Sequence, residues 1–170
     1  MTRPGTRAAA WLVAGSLLVG AGVVHGWGDD GRDGPWLARY TASDGEAFER
    51  FESDVRAHWG GRAPRPGWNS DGFTQRFETC IAADVRQVKL TLGADDAVSL
   101  QLGDVPLFER GRGSKYRETA LDVVLPEVPT LLVVEARDLA GSSSVQLWRG
   151  HGDAERTSLP ATWLSRPPCD

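Results

Sequence analysis

The chain predicts an all-β fold, an antiparallel β-sandwich preceded by one hydrophobic N-terminal helix. Three observations carry this. Val88, Leu90 and Leu92, then Val98, Leu100 and Leu102, alternate strictly on either side of a turn, the pattern of two half-buried strands with one shared inner face. From Phe73 onward such short runs recur with turn residues between them, the spacing of a sandwich or barrel. Ahead of them, Arg3 and Arg7 precede an uncharged run from Ala8 to Val24, the layout of an export segment.

The elements follow in order. The Ala8–Val24 run has 17 residues, about 25 Å as a helix and at the short limit for a membrane span. Residues 1–26 are therefore either a signal peptide, with Val24-His25-Gly26 as a weak cleavage site, or a retained signal anchor. The flanking arginines put the N-terminus in the cytoplasm and everything after Trp27 outside. Residues 27–36, polar and glycine-rich, form a flexible linker. Residues 37–170 form the domain. Within it, Phe48, Phe51, Val55 and Trp59 at spacings of three and four predict a short amphipathic helix over Gly45–His58, ended by Gly60-Gly61. Arg62–Gly67 is irregular and Asn69-Ser70-Asp71-Gly72 is a turn. Strands are expected at Phe73–Ile81, Val85–Gly93, Val98–Asp104, Val105–Glu109, Tyr116–Leu125, Leu131–Asp138 and Ser144–Arg149. The unbroken Leu131-Leu132-Val133-Val134 run marks a central strand covered on both faces.

Composition bounds the function. The net charge is −4 and no basic patch carries interleaved aromatics, which argues against nucleic-acid binding. The two cysteines, Cys80 and Cys169, both lie in the exported part, and an even count there favours one disulfide. The three histidines (His25, His58, His151) are far apart, and Ser142-Ser143-Ser144 is a turn without a nucleophile-elbow context. Adjacent Asp95 and Asp96 cannot flank a sugar as the two carboxylates of a glycosidase do, so the expectation is a binding protein, with no catalytic residues. On spacing alone the Asp95-Asp96 pair reads as a solvated turn. The other use of two adjacent carboxylates is an oxygen-rich site for a hard cation such as Ca²⁺.

The order of these signals resembles one family. Phe73-Thr74-Gln75-Arg76-Phe77-Glu78-Thr79-Cys80-Ile81 is similar to the opening strand of the PA-fourteen domain. The segment Val88–Asp104 resembles that family's hallmark: a strand, an Asp-Asp pair, and a strand ending in Asp before a hydrophobic hook, here Val105-Pro106-Leu107-Phe108. Gln146-Leu147-Trp148 is similar to its late Leu-x-Trp strand. The resemblance implies a β-sandwich acting as a carbohydrate-binding module. It implies that Asp95 and Asp96, joined by a cis peptide, ligate Ca²⁺ that holds sugar hydroxyls. Asp104 could assist, and Trp68, Trp148 and Trp163 are candidates to stack on the sugar. Three departures stand against the pattern: Val105 where the family has Gly, no asparagine after Asp104, and a basic Glu109–Arg117 stretch. The expected partner is therefore a glycan. The alternative is a structural module that docks onto another cell-envelope protein, with the Asp-Asp pair merely fixing a turn.

Overall fold

The structure is a computed structural model that describes residues 33–111, 113, 115–152 and 156–170. The expected export segment and most of the linker lie outside the described residues. No helix among the described residues is long and apolar enough to cross a membrane.

Among the described residues eleven strands form two antiparallel sheets: β1 (Trp36–Thr41), β2 (Ala47–Glu52), β3 (Arg56–His58), β4 (Thr74–Ile81), β5 (Gln87–Ala94), β6 (Ala97–Leu102), β7 (Val105–Arg110), β8 (Arg117–Val124), β9 (Thr130–Arg137), β10 (Ser144–Arg149) and β11 (Leu164–Ser165). A seven-stranded sheet runs β2-β1-β4-β9-β6-β7, with β11 added to β4, and a four-stranded sheet runs β3-β10-β5-β8. Ala38, Tyr40, Phe77, Leu100, Leu132 and Val134 of the first meet Leu90, Leu92, Val145 and Leu147 of the second in one core. Leu100, Leu132 and Val134 are fully buried; truncating a buried Leu of this kind to Ala costs about 2–5 kcal/mol.

From Phe73 onward the strands lie where the alternation places them, and β9 is central, between β4 and β6. On its outer face Val133 pairs with Glu78, beneath the charged Arg76–Glu78–Glu135 cluster. One feature of the alternating pair differs. The Val88–Leu92 and Val98–Leu102 runs do share the core, but from opposite sheets: β5 pairs with β8 and β10, whereas β6 pairs with β7 and β9. The Asp95-Asp96 turn thus crosses from one sheet to the other.

The amphipathic helix expected at Gly45–His58 is replaced by β2 and β3. The three-residue spacing that suggests a helix instead puts Phe48 and Phe51 on opposite faces of one strand. Phe48 stacks on Tyr40, centroids 4.9 Å apart, while Phe51 pairs with Leu37 and carries the Arg166 guanidinium 4.0 Å from its ring centroid. Trp36, placed at the end of the linker, is already in β1 and is buried. Just before it, a Cβ on Gly34 would fall 1.8 Å from the Glu52 carbonyl oxygen, so only glycine fits that approach. The Cys80–Cys169 disulfide forms, with 89 residues of separation. Closing a loop of that size is worth about 4–5 kcal/mol in the chain-entropy model.

The register sets which loops meet. Thr41 is opposite Ala47 and Thr74, Thr74 opposite Arg137, and Arg137 opposite Ala97. In the other sheet Ala94 is opposite Val145 and Arg117. The β1–β2, β3–β4, β5–β6, β7–β8 and β9–β10 connections therefore gather at one end, the tip. The disulfide, β11 and the β6–β7 turn lie at the other end, the base.

Candidate functional site

The tip is organised around aspartates. The Asp95 N–H donates to the Ser144 carbonyl at 2.9 Å, and the Asp96 N–H donates to Asp95 Oδ1 at 3.1 Å. Asp96 takes φ 66°, a left-handed conformation that Asp tolerates better than most residues. This reverses the chain with a trans Asp95–Asp96 bond. The one cis peptide among the described residues is Pro167–Pro168, so the cis Asp-Asp bond implied by the resemblance is not present. Arg110 Nη2 closes the turn from outside, donating to the carbonyls of Ala94 at 2.7 Å and Asp96 at 3.2 Å.

Asp96 is 5% exposed. Its Oδ2 accepts from the Leu139 N–H at 2.8 Å and, more weakly, from Ala140 at 3.4 Å. Asp71 Oδ1 accepts from the Gly141 N–H at 3.0 Å. Two carboxylates thus hold the β9–β10 loop. A third, Asp138, opens that loop. It is fully buried, and neither of its side-chain oxygens has a hydrogen-bond partner. Burial, and then the carboxylates of Asp96 and Asp71, push Asp138 up to about 6. Below that pH, Asp138 can donate its proton to Asp96. Beside this cluster, Trp59 Nε1 donates to Gln75 Oε1 at 3.0 Å, and Gln75 Nε2 donates to Ser143 at 2.9 Å.

Asp95, Asp96, Gly113 and the Leu139–Ser142 segment line a cleft of about 540 Å³, within the usual size range of small-ligand sites. Among the described residues no group of three or more His, Cys, Asp or Glu side chains is arranged to hold a metal ion.

The other expected site residues are spread over the molecule. Trp68 is at the tip, on the β1–β2 side, half-buried against Phe48 with its Nε1 donating to Glu46 Oε2 at 2.6 Å. Asp104 is exposed in the β6–β7 turn at the base. The length of β6 separates it from Asp96, roughly 20 Å at strand rise. Trp163 is also at the base, under the Arg149 guanidinium. Trp148 lies on the outer face of the four-stranded sheet, under Arg56. The structure brings Asp95 and Asp96 together with Asp71 and Asp138, and does not bring Asp104, Trp148 or Trp163 to them. Asp138 was legible as a candidate: Leu132, Val134, Ala136 and Asp138 share the inward face of an alternating run, so a carboxylate there points into the molecule.

Comparison with known proteins supports the fold. No protein-family model matches the chain, and no curated protein does. Among solved structures it is similar to an anti-sigma factor domain-containing protein from Clostridium clariflavum, with TM-score 0.65, 17% identity, and coverage of 84% of this chain and 51% of that one. It is similar to a PA14 sugar-binding domain from an RTX adhesin, with TM-score 0.61, 11% identity, and coverage of 79% and 99%. It is also similar to the epithelial adhesin 6 A domain from Candida glabrata, solved with Galβ1-3GlcNAc, with TM-score 0.56, 10% identity, and coverage of 82% and 89%. The chain spans about half the length of the anti-sigma factor domain-containing proteins it matches. At these identities the likeness shows a shared β-sandwich fold, which includes PA14 domains.

Proposed function

We propose that the protein is an exported carbohydrate-binding module, membrane-tethered if its N-terminal segment is retained, with a calcium-dependent glycan site at the Asp95–Asp96 tip. The observation that carries this reading is the aspartate-lined cleft at the end where five loops converge. Its donor set is all oxygen, which suits a hard cation. Asp138, buried with two unpartnered carboxylate oxygens beside Asp96, is a charge that a nearby cation would offset. Asp95 and Asp96 would hold the ion, with backbone carbonyls, water and sugar hydroxyls completing the shell. When bound, it supplies a positive charge for two vicinal hydroxyls. One neighbour of the same fold is named as a sugar-binding domain, and another is an adhesin domain in complex with Galβ1-3GlcNAc. The cysteine bridge suits an oxidising compartment outside the cytoplasm. The role is binding rather than catalysis, because the two carboxylates that line the cleft, Asp95 and Asp96, are adjacent residues and cannot stand on opposite sides of a glycosidic bond.

One observation favours the alternative, an envelope protein-interaction module with no sugar ligand. Asp96 Oδ2 already accepts from Leu139 and Ala140, so it can fix the loop without a metal. Screening the full chain on a glycan array in calcium and in chelator separates the two. Calcium-dependent signal that Asp95→Asn abolishes supports the glycan site. Calcium-independent or absent signal favours the interaction module.

A further inference from the structure

The outer face of the four-stranded sheet carries a polar row one step below the tip. Arg56 (β3) is opposite Gln146 (β10), Gln146 is opposite Gly93 (β5), and Gly93 is opposite Glu118 (β8). Gly93 has no side chain, and the Tyr116 hydroxyl fills the space: a Cβ there would fall 2.1 Å from it. That hydroxyl is shared between Glu118 Oε1 at 2.9 Å and Gln146 Oε1 at 3.3 Å. Burial and the Glu118 hydrogen bond push the Tyr116 phenol up to about 12, so it keeps its proton. Gln146 Oε1 also accepts from Trp148 Nε1 at 3.2 Å. An indole N–H can only donate, and this fixes which way the amide points. The Gln146 NH₂ is the free side, with no hydrogen-bond acceptor among the described residues.

Arg56 is the matching half. Seven arginines among the described residues face a carboxylate, as in Arg39–Glu49, Arg65–Glu46, Arg76–Glu135 and Arg86–Glu127. Arg56 instead sits over the Trp148 ring, 4.8 Å from its centroid, with no ion pair or hydrogen bond among the described residues. Stacking orders the guanidinium without neutralising it. Glu118, the carboxylate of this row, is already gripped at both oxygens by Arg156, at 2.9 and 2.5 Å. The result is an uncompensated planar donor fork beside a fixed amide NH₂, the donor arrangement that a carboxylate accepts in bidentate fashion.

We infer that Arg56 and Gln146 form a carboxylate subsite for an acidic saccharide, a uronic acid residue of the glycan, with Trp148 ordering the guanidinium. The inference rests on the glycan-binding reading and extends it. Gly93 lies two residues from Asp95, roughly 7 Å along the strand, and Arg56 lies two strands across from Gly93, roughly 10 Å over the sheet, a span that an oligosaccharide of a few sugars covers. Charge is the complementarity: a neutral sugar leaves the Arg56 fork unused, and a uronate fills it.

The test is titration of the full chain with trigalacturonate and triglucuronate, and with the methyl ester of each, by tryptophan fluorescence in calcium and in chelator. At least one acid should bind about tenfold or more tighter than its ester, as a lost charge-assisted pair implies. Arg56→Gln should erase that difference while leaving the melting temperature unchanged. Equal affinity for acid and ester, failure of both acids to bind, or an acid preference that survives Arg56→Gln overturns the inference. Asp95→Asn keeps the two readings apart. Acid preference that persists in this variant and in chelator leaves the subsite standing even if the calcium site fails. Calcium-dependent neutral-glycan binding without acid preference does the reverse.

Discussion

Replacing Asp138 by Asn should stabilise the calcium-free protein at neutral pH, although it removes a fully buried side chain's charge and adds no new packing. Asp138 is held at about 6, up from an ordinary 3.8. The direction follows from linkage. Between roughly pH 4 and 6 the folded chain binds a proton there that the unfolded chain has already released. The stabilisation from that proton is full at low pH and is lost as pH rises through about 6. Two units correspond to about 3 kcal/mol; water screening at half-exposed Asp71, one of the repelling groups, lowers the expected effect to about 1–2 kcal/mol. Asn keeps the shape, cannot ionise, and offers an N–H donor to Asp96. At about 4 °C per kcal/mol for a domain of this size, Asp138→Asn should raise the melting temperature in chelator by about 4–8 °C at pH 7.5 and by little at pH 4.5. Differential scanning calorimetry across that range reads both. A variant that melts lower than the parent at pH 7.5, or a gain equally large at pH 4.5, would show that the Asp138 charge does not destabilise the fold.

Two further outcomes follow from the packing. Cys80→Ser with Cys169→Ser removes a link spanning 89 residues and should lower unfolding stability by up to about 4–5 kcal/mol; urea melts of the oxidised parent and the double variant measure it, and equal midpoints contradict it. Gly93→Ala should force Tyr116 off the sheet, because the new Cβ would lie 2.1 Å from the phenol oxygen; the loss is that of the Tyr116 hydrogen bond to Glu118, about 0.5–1.5 kcal/mol. Tyr116→Ala should recover part of that loss in a double-mutant cycle, and strict additivity of the two changes would show that the contact is not the cause.

The C-terminal two thirds of the fold were legible because the strands alternate cleanly and their turns carry glycine and aspartate. Ser144–Arg149 lies where its pattern puts it, and the unbroken Leu131–Val134 run is the central β9. The first three strands were not legible. In β2, Phe48 and Phe51 serve two different faces, and a spacing of three then imitates a helix. The crossing of Asp95-Asp96 between sheets was hidden because alternation tells which face is buried and not which strand is the neighbour. The same holds for Trp148: its Leu-x-Trp strand made it a candidate to stack on a sugar, but its outward direction places it on the sheet face with Arg56. Asp104 looked like a partner of Asp95 because only eight residues separate them. The intervening strand carries it to the other end of the molecule.

The most direct test of the glycan-site account is thermal unfolding of the full chain in saturating calcium and in chelator, repeated for Asp95→Asn and Asp96→Asn. Calcium should raise the parent's melting temperature, with about 2.7 kcal/mol gained at one hundred times the dissociation constant, and leave both variants unmoved. A parent whose melting temperature is the same with and without calcium would contradict it and leave the tip aspartates as the staples of a loop.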